Sequence, residues 1–148
     1  DATSLKWFTA DRNMIVTRNG RVIKTLGFGN DLLFSDSANA DPLSDGKMLI
    51  KNSAALTWQH RELWSAKYQS GYTLTSTFSN QGIEDVMISD TPRQLVRINE
   101  LVKVPALNTC YTNSFWLDPD SGEVVQSHQY IGPDMPQIQF TILKPYAS

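Results

Sequence analysis

Apolar and polar residues alternate with period two along most of this chain, the spacing of half-buried β-strands. In "NMIVTRNGRVIKTL", residues 13–26, two β-rich runs flank Asn19-Gly20, the preferred pair for a two-residue type I′ turn because both central positions need positive φ. Such a turn sets Arg18 opposite Arg21, Val16 opposite Ile23 and Met14 opposite Thr25, with the two arginines at an exposed tip. Residues 27–53 are rich in Gly, Asp, Asn and Ser, which predicts one short strand around Leu32 to Phe34 and then a long connection. "LGFGN" within it reads as a turn.

In "ALTWQHRELWSAKY" a strand puts Leu56, Trp58, Trp64, Ala66 and Tyr68 on one face, whereas a helix would scatter the two tryptophans. "YTLTSTFS" alternates Tyr72, Leu74 and Phe78 against threonines, and "QLVRINELVKV" groups Val96, Ile98, Val102 and Val104 before Pro105 stops it. "TNSFWLDPDSGEVVQSHQ", residues 112–129, predicts a strand, a Pro119 to Gly122 turn and a second strand. "QIQFTIL" adds one more. The pattern therefore predicts a single all-β domain over residues 1–148, an antiparallel β-sandwich or half-barrel of about seven to nine strands with long loops. It also poses a problem, because adjacent strand residues point to opposite faces and Phe115 and Trp116 cannot enter one core. Whichever ring faces away needs a second layer, a concave groove or a partner to cover it.

Composition narrows the function classes. The 13 Lys and Arg against 15 Asp and Glu give a net charge of −2 with no basic run, which argues against nucleic acid. The apolar runs are far too short to span a membrane as a helix. Cys110 is the one cysteine, so it joins no intramolecular disulfide and reads as a small, partly buried hydrophobe. Two histidines, His60 and His128, lie in no metal-ligand spacing, and the acids Asp36, Asp41 and Asp45 lack that of a calcium loop and read as solvated loop residues. No metal, no cofactor and no catalytic residue is expected, since hydrolase and nucleotide-binding motifs are missing.

Two groups of residues remain as candidates. His60, Glu62 and Glu100 are polar residues on predicted apolar faces, where a carboxylate must be paired or protonated, with Arg61 or Arg97 as available partners. Trp58, Trp64, Phe115 and Trp116 are large rings that suit either a core or a sugar-stacking surface.

The stretches "NMIVTRNGRVIKTLGFGNDLL", "LTWQHRELWS", "VRINELVKV" and above all "NSFWLDPDSGEVVQSHQYIGPDMPQIQFTILKP" resemble the YjbF/GfcB family, lipoproteins associated with group 4 capsule and exopolysaccharide production in Gram-negative bacteria. The resemblance implies a non-enzymatic accessory lipoprotein at the periplasmic side of the outer membrane. Polysaccharide or export-machinery proteins would be its partners. Its membrane contact would run through an N-terminal lipid and signal segment that this chain is expected to lack, together with a first strand. The terminal hairpin is also similar to those of LolA/LolB-type half-barrels, which keeps an acyl-chain or lipoprotein carrier as an alternative. A polysaccharide-modifying enzyme using Glu62 or Glu100 is a further one.

Overall fold

Asn19 and Gly20 adopt φ values of 50° and 85°, the left-handed pair that a type I′ turn requires. In the computed structural model, which describes residues 3–143, this turn joins the last two strands of a small antiparallel sheet: β1 (Ser4–Phe8), β2 (Met14–Arg18) and β3 (Arg21–Leu26). Arg18 stands opposite Arg21 as expected, but Val16 pairs with Lys24 and Met14 with Leu26, because Ile23 is the extra residue of a bulge. The expected pairings of Val16 with Ile23 and Met14 with Thr25 are therefore each displaced by one residue.

The remaining strands run in chain order across one antiparallel sheet of seven, curved into a half-barrel: β4 (Leu32–Asp36), β5 (Leu56–Trp64), β6 (Tyr72–Ile88), β7 (Thr91–Val104), β8 (Thr109–Leu117), β9 (Val124–Tyr130) and β10 (Gln137–Thr141). The all-β class and the half-barrel form of the expected fold both hold. Ten strands among the described residues exceed the seven to nine expected. The tight β6–β7 hairpin turns at Ser89-Asp90, both at positive φ, so β6 runs well past the polar stretch around Gly82.

Two pieces of chain close the concave face. The inner side of the small sheet supplies Ile15 and Val22 to a cluster with Leu32, Trp64, Leu74, Val102, Val104, Ile131 and Phe140. The connection from β4 to β5 is not structureless: Asp41 caps a 3₁₀ turn (Pro42–Asp45) and Asp45 caps the short helix α1 (Gly46–Lys51). These place Leu43 and Leu49 against Trp58, Phe78, Ile98, Phe115 and Leu117. The backbone of Gly46 lies directly on that of Gly122 in the β8–β9 turn, leaving no space for a side chain at either position.

Phe115 is wholly buried beneath this cover, and Trp116 is 6% exposed on the other face. That opposite face carries its own small cluster of Ile88, Leu95, Trp116 and Val125. Arg97 lies 5.2 Å over the Trp116 ring, His128 meets it edge-on at 4.7 Å, and Trp116 Nε1 donates to Glu84 at 3.1 Å. The second layer is thus local and partly ionic. Cys110 is exposed, contrary to its reading as a partly buried hydrophobe, because on β8 it is Asn113 and not Cys110 that turns into the polar interior.

At Gly20 an added Cβ would lie 2.6 Å from Val124 Cβ, on top of the strain of positive φ. Gly20→Ala is expected to destabilise by about 2–4 kcal/mol, from left-handed backbone and overpacking together, read as a fall in melting temperature. An unchanged melting temperature would contradict the docked turn.

Candidate functional site

Arg21 follows the turn directly, and its position decides the chemistry of the interior. Rather than standing at an exposed tip beside Arg18, its side chain is 5% exposed. Nε and Nη2 of the guanidinium donate to the two Asp41 oxygens, and Nη1 donates to Glu100 Oε1 at 2.9 Å. The group lies 4.8 Å from the Trp58 ring centroid, 5.6 Å from that of Phe115 and 5.9 Å from that of Phe78. Burial alone would push its pKa down, but the two carboxylates outweigh burial and raise it, so it is a permanent cation.

Glu100 is fully buried, and its partner is Arg21 rather than Arg61 or Arg97. Burial pushes its carboxyl up, and the Arg21 charge with its hydrogen bonds pulls it further down, to a net position below the usual 4.5. Asn113 Nδ2 adds a bond to Glu100 Oε1 at 3.1 Å, while Asn113 Oδ1 accepts from the Tyr130 amide at 2.9 Å. Gln129 completes the arrangement: its Nε2 donates to Gly20 O at 2.7 Å and its Oε1 accepts from the Val22 amide at 3.0 Å. The hairpin is therefore held by backbone and side chain together.

Between the hairpin tip and the Ser35–Ser44 loop lies a cleft of about 440 Å³. Arg21, Asp41 and Trp58 line it, with Arg18, Asn19, Asp36 and Asn39 among the polar groups around them. Trp58 Nε1 donates to Asn39 O at 3.1 Å, tying the loop to the sheet. Other cavities, under the hairpin beside Phe140 and next to Leu49, hold only about 10 Å³ each, roughly one water.

The residues singled out from the sequence are distributed unevenly around this cleft. Trp58, 6% exposed, lines it. Trp64 is fully buried, its Nε1 donating to Ile131 O at 3.2 Å, and Phe115 and Trp116 are buried on opposite faces of β8. The four rings form no common surface. His60 is stacked on Trp58 at 4.1 Å between centroids, with Nε2 3.0 Å from Ser76 Oγ and Nδ1 3.6 Å from Glu62 Oε1. His60, Glu62 and Glu100 are all buried, and none of them lines the cleft. Among the described residues no three His, Cys, Asp or Glu side chains are grouped to hold a metal ion. The sequence pattern places Arg21 at an exposed tip and Asp41 among solvated loop acids, whereas the fold buries Arg21 and pairs it with Asp41, because its partners lie on distant segments of the chain.

A family model described as "Group 4 capsule polysaccharide lipoprotein gfcB, YjbF" matches residues 1–143. The protein named uncharacterized lipoprotein GfcB of Escherichia coli K12 is 34% identical over 141 residues, covering 95% of this chain and 64% of its own length. The uncharacterized lipoprotein YjbF of the same organism is 29% identical over 140 residues, with 94% and 63% covered. This chain spans a little under two thirds of those relatives. The crystal structure of the hypothetical lipoprotein YmcC from Escherichia coli K12 aligns at TM-score 0.85 and 32% identity, over all of this chain and 75% of that one.

Replacing Arg21 by Met strands a buried Glu100 and is expected to cost about 3–5 kcal/mol, while Arg21→Met with Glu100→Leu recovers most of it. Because the folded Glu100 sits below its usual 4.5, its stabilisation is complete above that value and is lost as pH falls through the folded value. Glu100→Gln should accordingly flatten the acid limb of a stability–pH profile. An acid limb of unchanged steepness would mean that other carboxylates carry it.

Proposed function

The chain belongs to the YjbF/GfcB family of group 4 capsule polysaccharide lipoproteins, and from that membership we propose that it is a non-enzymatic accessory domain of capsule or exopolysaccharide production or export. It works at the periplasmic side of the outer membrane and engages saccharide through the cleft beside Arg21. The observation that carries this reading is the character of the cleft. At about 440 Å³ it is in the range of small-molecule sites, and its walls set the polar Asn39, Asp36, Asn19 and Arg18 beside the apolar Ile23 and Trp58, a mixture that suits the hydroxyls and apolar faces of a sugar. Hydroxyl-rich ligands need many such donors and acceptors.

The two other readings fit the interior less well. An acyl carrier needs an empty apolar cavity, and here Arg21, Leu43 and Leu49 fill the concave face. The spaces beside Phe140 and next to Leu49, about 10 Å³ each, are more than an order of magnitude below ligand-sized pockets. An acid–base enzyme acting on sugars needs two carboxylates flanking the reacting bond. Glu100 is instead sealed and bonded to Arg21, and Glu62 is buried beside His60. Among the described residues no helix is long and apolar enough to cross a membrane.

Arg18 and Asp36 are exposed and lie outside the buried network, so Arg18→Ala with Asp36→Ala should change stability by no more than about 0.5 kcal/mol. In cells carrying the full-length lipoprotein, this pair is expected to lower surface polysaccharide several-fold at unchanged protein level. Normal output from the well-folded variant, or cleavage of the polysaccharide by the purified protein, would overturn the proposal.

A further inference from the structure

The outward face of the small sheet carries an unusual combination of side chains. Cross-strand pairing aligns Phe8 with Met14 and Met14 with Leu26 in one row, and Lys6 with Val16 and Val16 with Lys24 in the next. Arg18 and Ser4 follow, close enough for Arg18 Nε to reach Ser4 Oγ at 3.5 Å. Phe8 is 73% exposed and Leu26 55%, and Lys6, Lys24 and Arg18 are exposed around them. No Asp or Glu occurs in any of the three strands, although the chain as a whole carries a net charge of −2. The adjoining turn adds Asp11 and Arg12, which cancel.

Exposed rings and aliphatic side chains at one end of a face, with cations alongside, are what binds an anionic bilayer: the apolar groups enter the headgroup boundary and the cations pair with lipid phosphates. We propose that this face, centred on Phe8, Leu26, Lys6 and Lys24, is a second membrane contact that seats the domain on an anionic phospholipid surface. The proposal rests on membership of a lipoprotein family and on charge complementarity, and is independent of the saccharide reading. A second copy of the chain is a poorer occupant, because a two-fold contact pairs this face with itself and so offers Lys6, Lys24 and Arg18 no carboxylate from the three strands to answer them. Lysine stems also cover apolar surface while their ammonium groups reach outward, so both residue types work at one depth.

The test is flotation of the purified chain with phosphatidylcholine vesicles made with and without phosphatidylglycerol, at low and high salt. Binding is expected only with phosphatidylglycerol and should weaken with salt. Lys6→Glu with Lys24→Glu should reduce it by roughly tenfold or more, at about 1 kcal/mol per cation removed. Phe8→Ser should reduce binding at both salt concentrations. All of these positions are exposed, and melting temperatures serve as the folding control. Failure to float with phosphatidylglycerol, equal binding to neutral vesicles, or binding unaffected by either variant would overturn the proposal. So would a concentration-dependent dimer that Phe8→Ser dissolves, which would assign the face to a second copy.

Discussion

Everything on the concave side of the half-barrel is arranged around one buried guanidinium. A charge taken out of water is tolerated only when its Coulomb partners and all its donors are supplied in place. Arg21 finds Glu100 on the central strand β7 and Asp41 on the loop before α1, residues 79 and 20 positions away. It thereby fixes the small sheet, the loop and the large sheet relative to one another. Apolar packing between Leu43, Leu49 and the sheet would allow some sliding. A forked guanidinium bonded to two carboxylates does not, since planar two-point contacts tolerate little displacement. The polar row of Asn113 and Gln129 extends the same lock to the backbone of the turn, which explains polar residues on the inner face of β8 and β9.

Locally determined features were legible in the sequence, and features set by contacts across the fold were not. The Asn19-Gly20 turn, the alternation in β5 and β7 and the turn before Val124 follow from residue-level conformational preferences, and each is present. The apolar alternation of β6 stops at Phe78, and the mostly polar stretch from Ser79 to Asp85 with Gly82 within it hides the rest of the strand. A strand that extends beyond the core cover needs no apolar alternation, and Ile83 and Met87 are indeed exposed there. The site was legible in part. That Glu100 sits on an apolar face and needs a cation follows from its spacing, but the cation is 79 residues away in the chain. Nothing local could have named it, or have separated Asp41, which answers that cation, from Asp36 nearby.

Phe115 and Trp116 illustrate how a sheet covered on one side handles a large ring on the other. The inner ring is buried by distant chain. The outer ring is buried by its strand neighbours, with Arg97 across its face and Glu84 accepting from its indole. That hydrogen bond from Trp116 is the main reason the Glu84 carboxyl lies below its usual range, with Arg97 adding to it against a smaller opposing effect of burial. The outer aromatic is therefore a packed part of the convex surface, whereas on the small sheet Phe8 and Leu26 meet solvent beside Lys6 and Lys24.

Arg18 belongs both to that outward face and to the rim of the cleft, and this shared residue links the two. From the Phe8 row to the Arg18 row the strand advances four residues, roughly 14 Å at about 3.4 Å per residue. Side chains at the apolar end enter a bilayer by roughly 5–10 Å in an interfacial contact. The cleft rim then stays in the aqueous layer, within reach of the surface. The cation in the cleft floor, Arg21, is already bound by two carboxylates, Asp41 and Glu100. Such a floor exerts little attraction on a charged headgroup, while Asn19, Asp36 and Asn39 still present hydrogen-bonding groups above it. In the arrangement we propose, one end of the face would meet anionic lipid through exposed lysines, and the other would offer uncharged hydroxyl groups a site whose buried cation the fold has already paired.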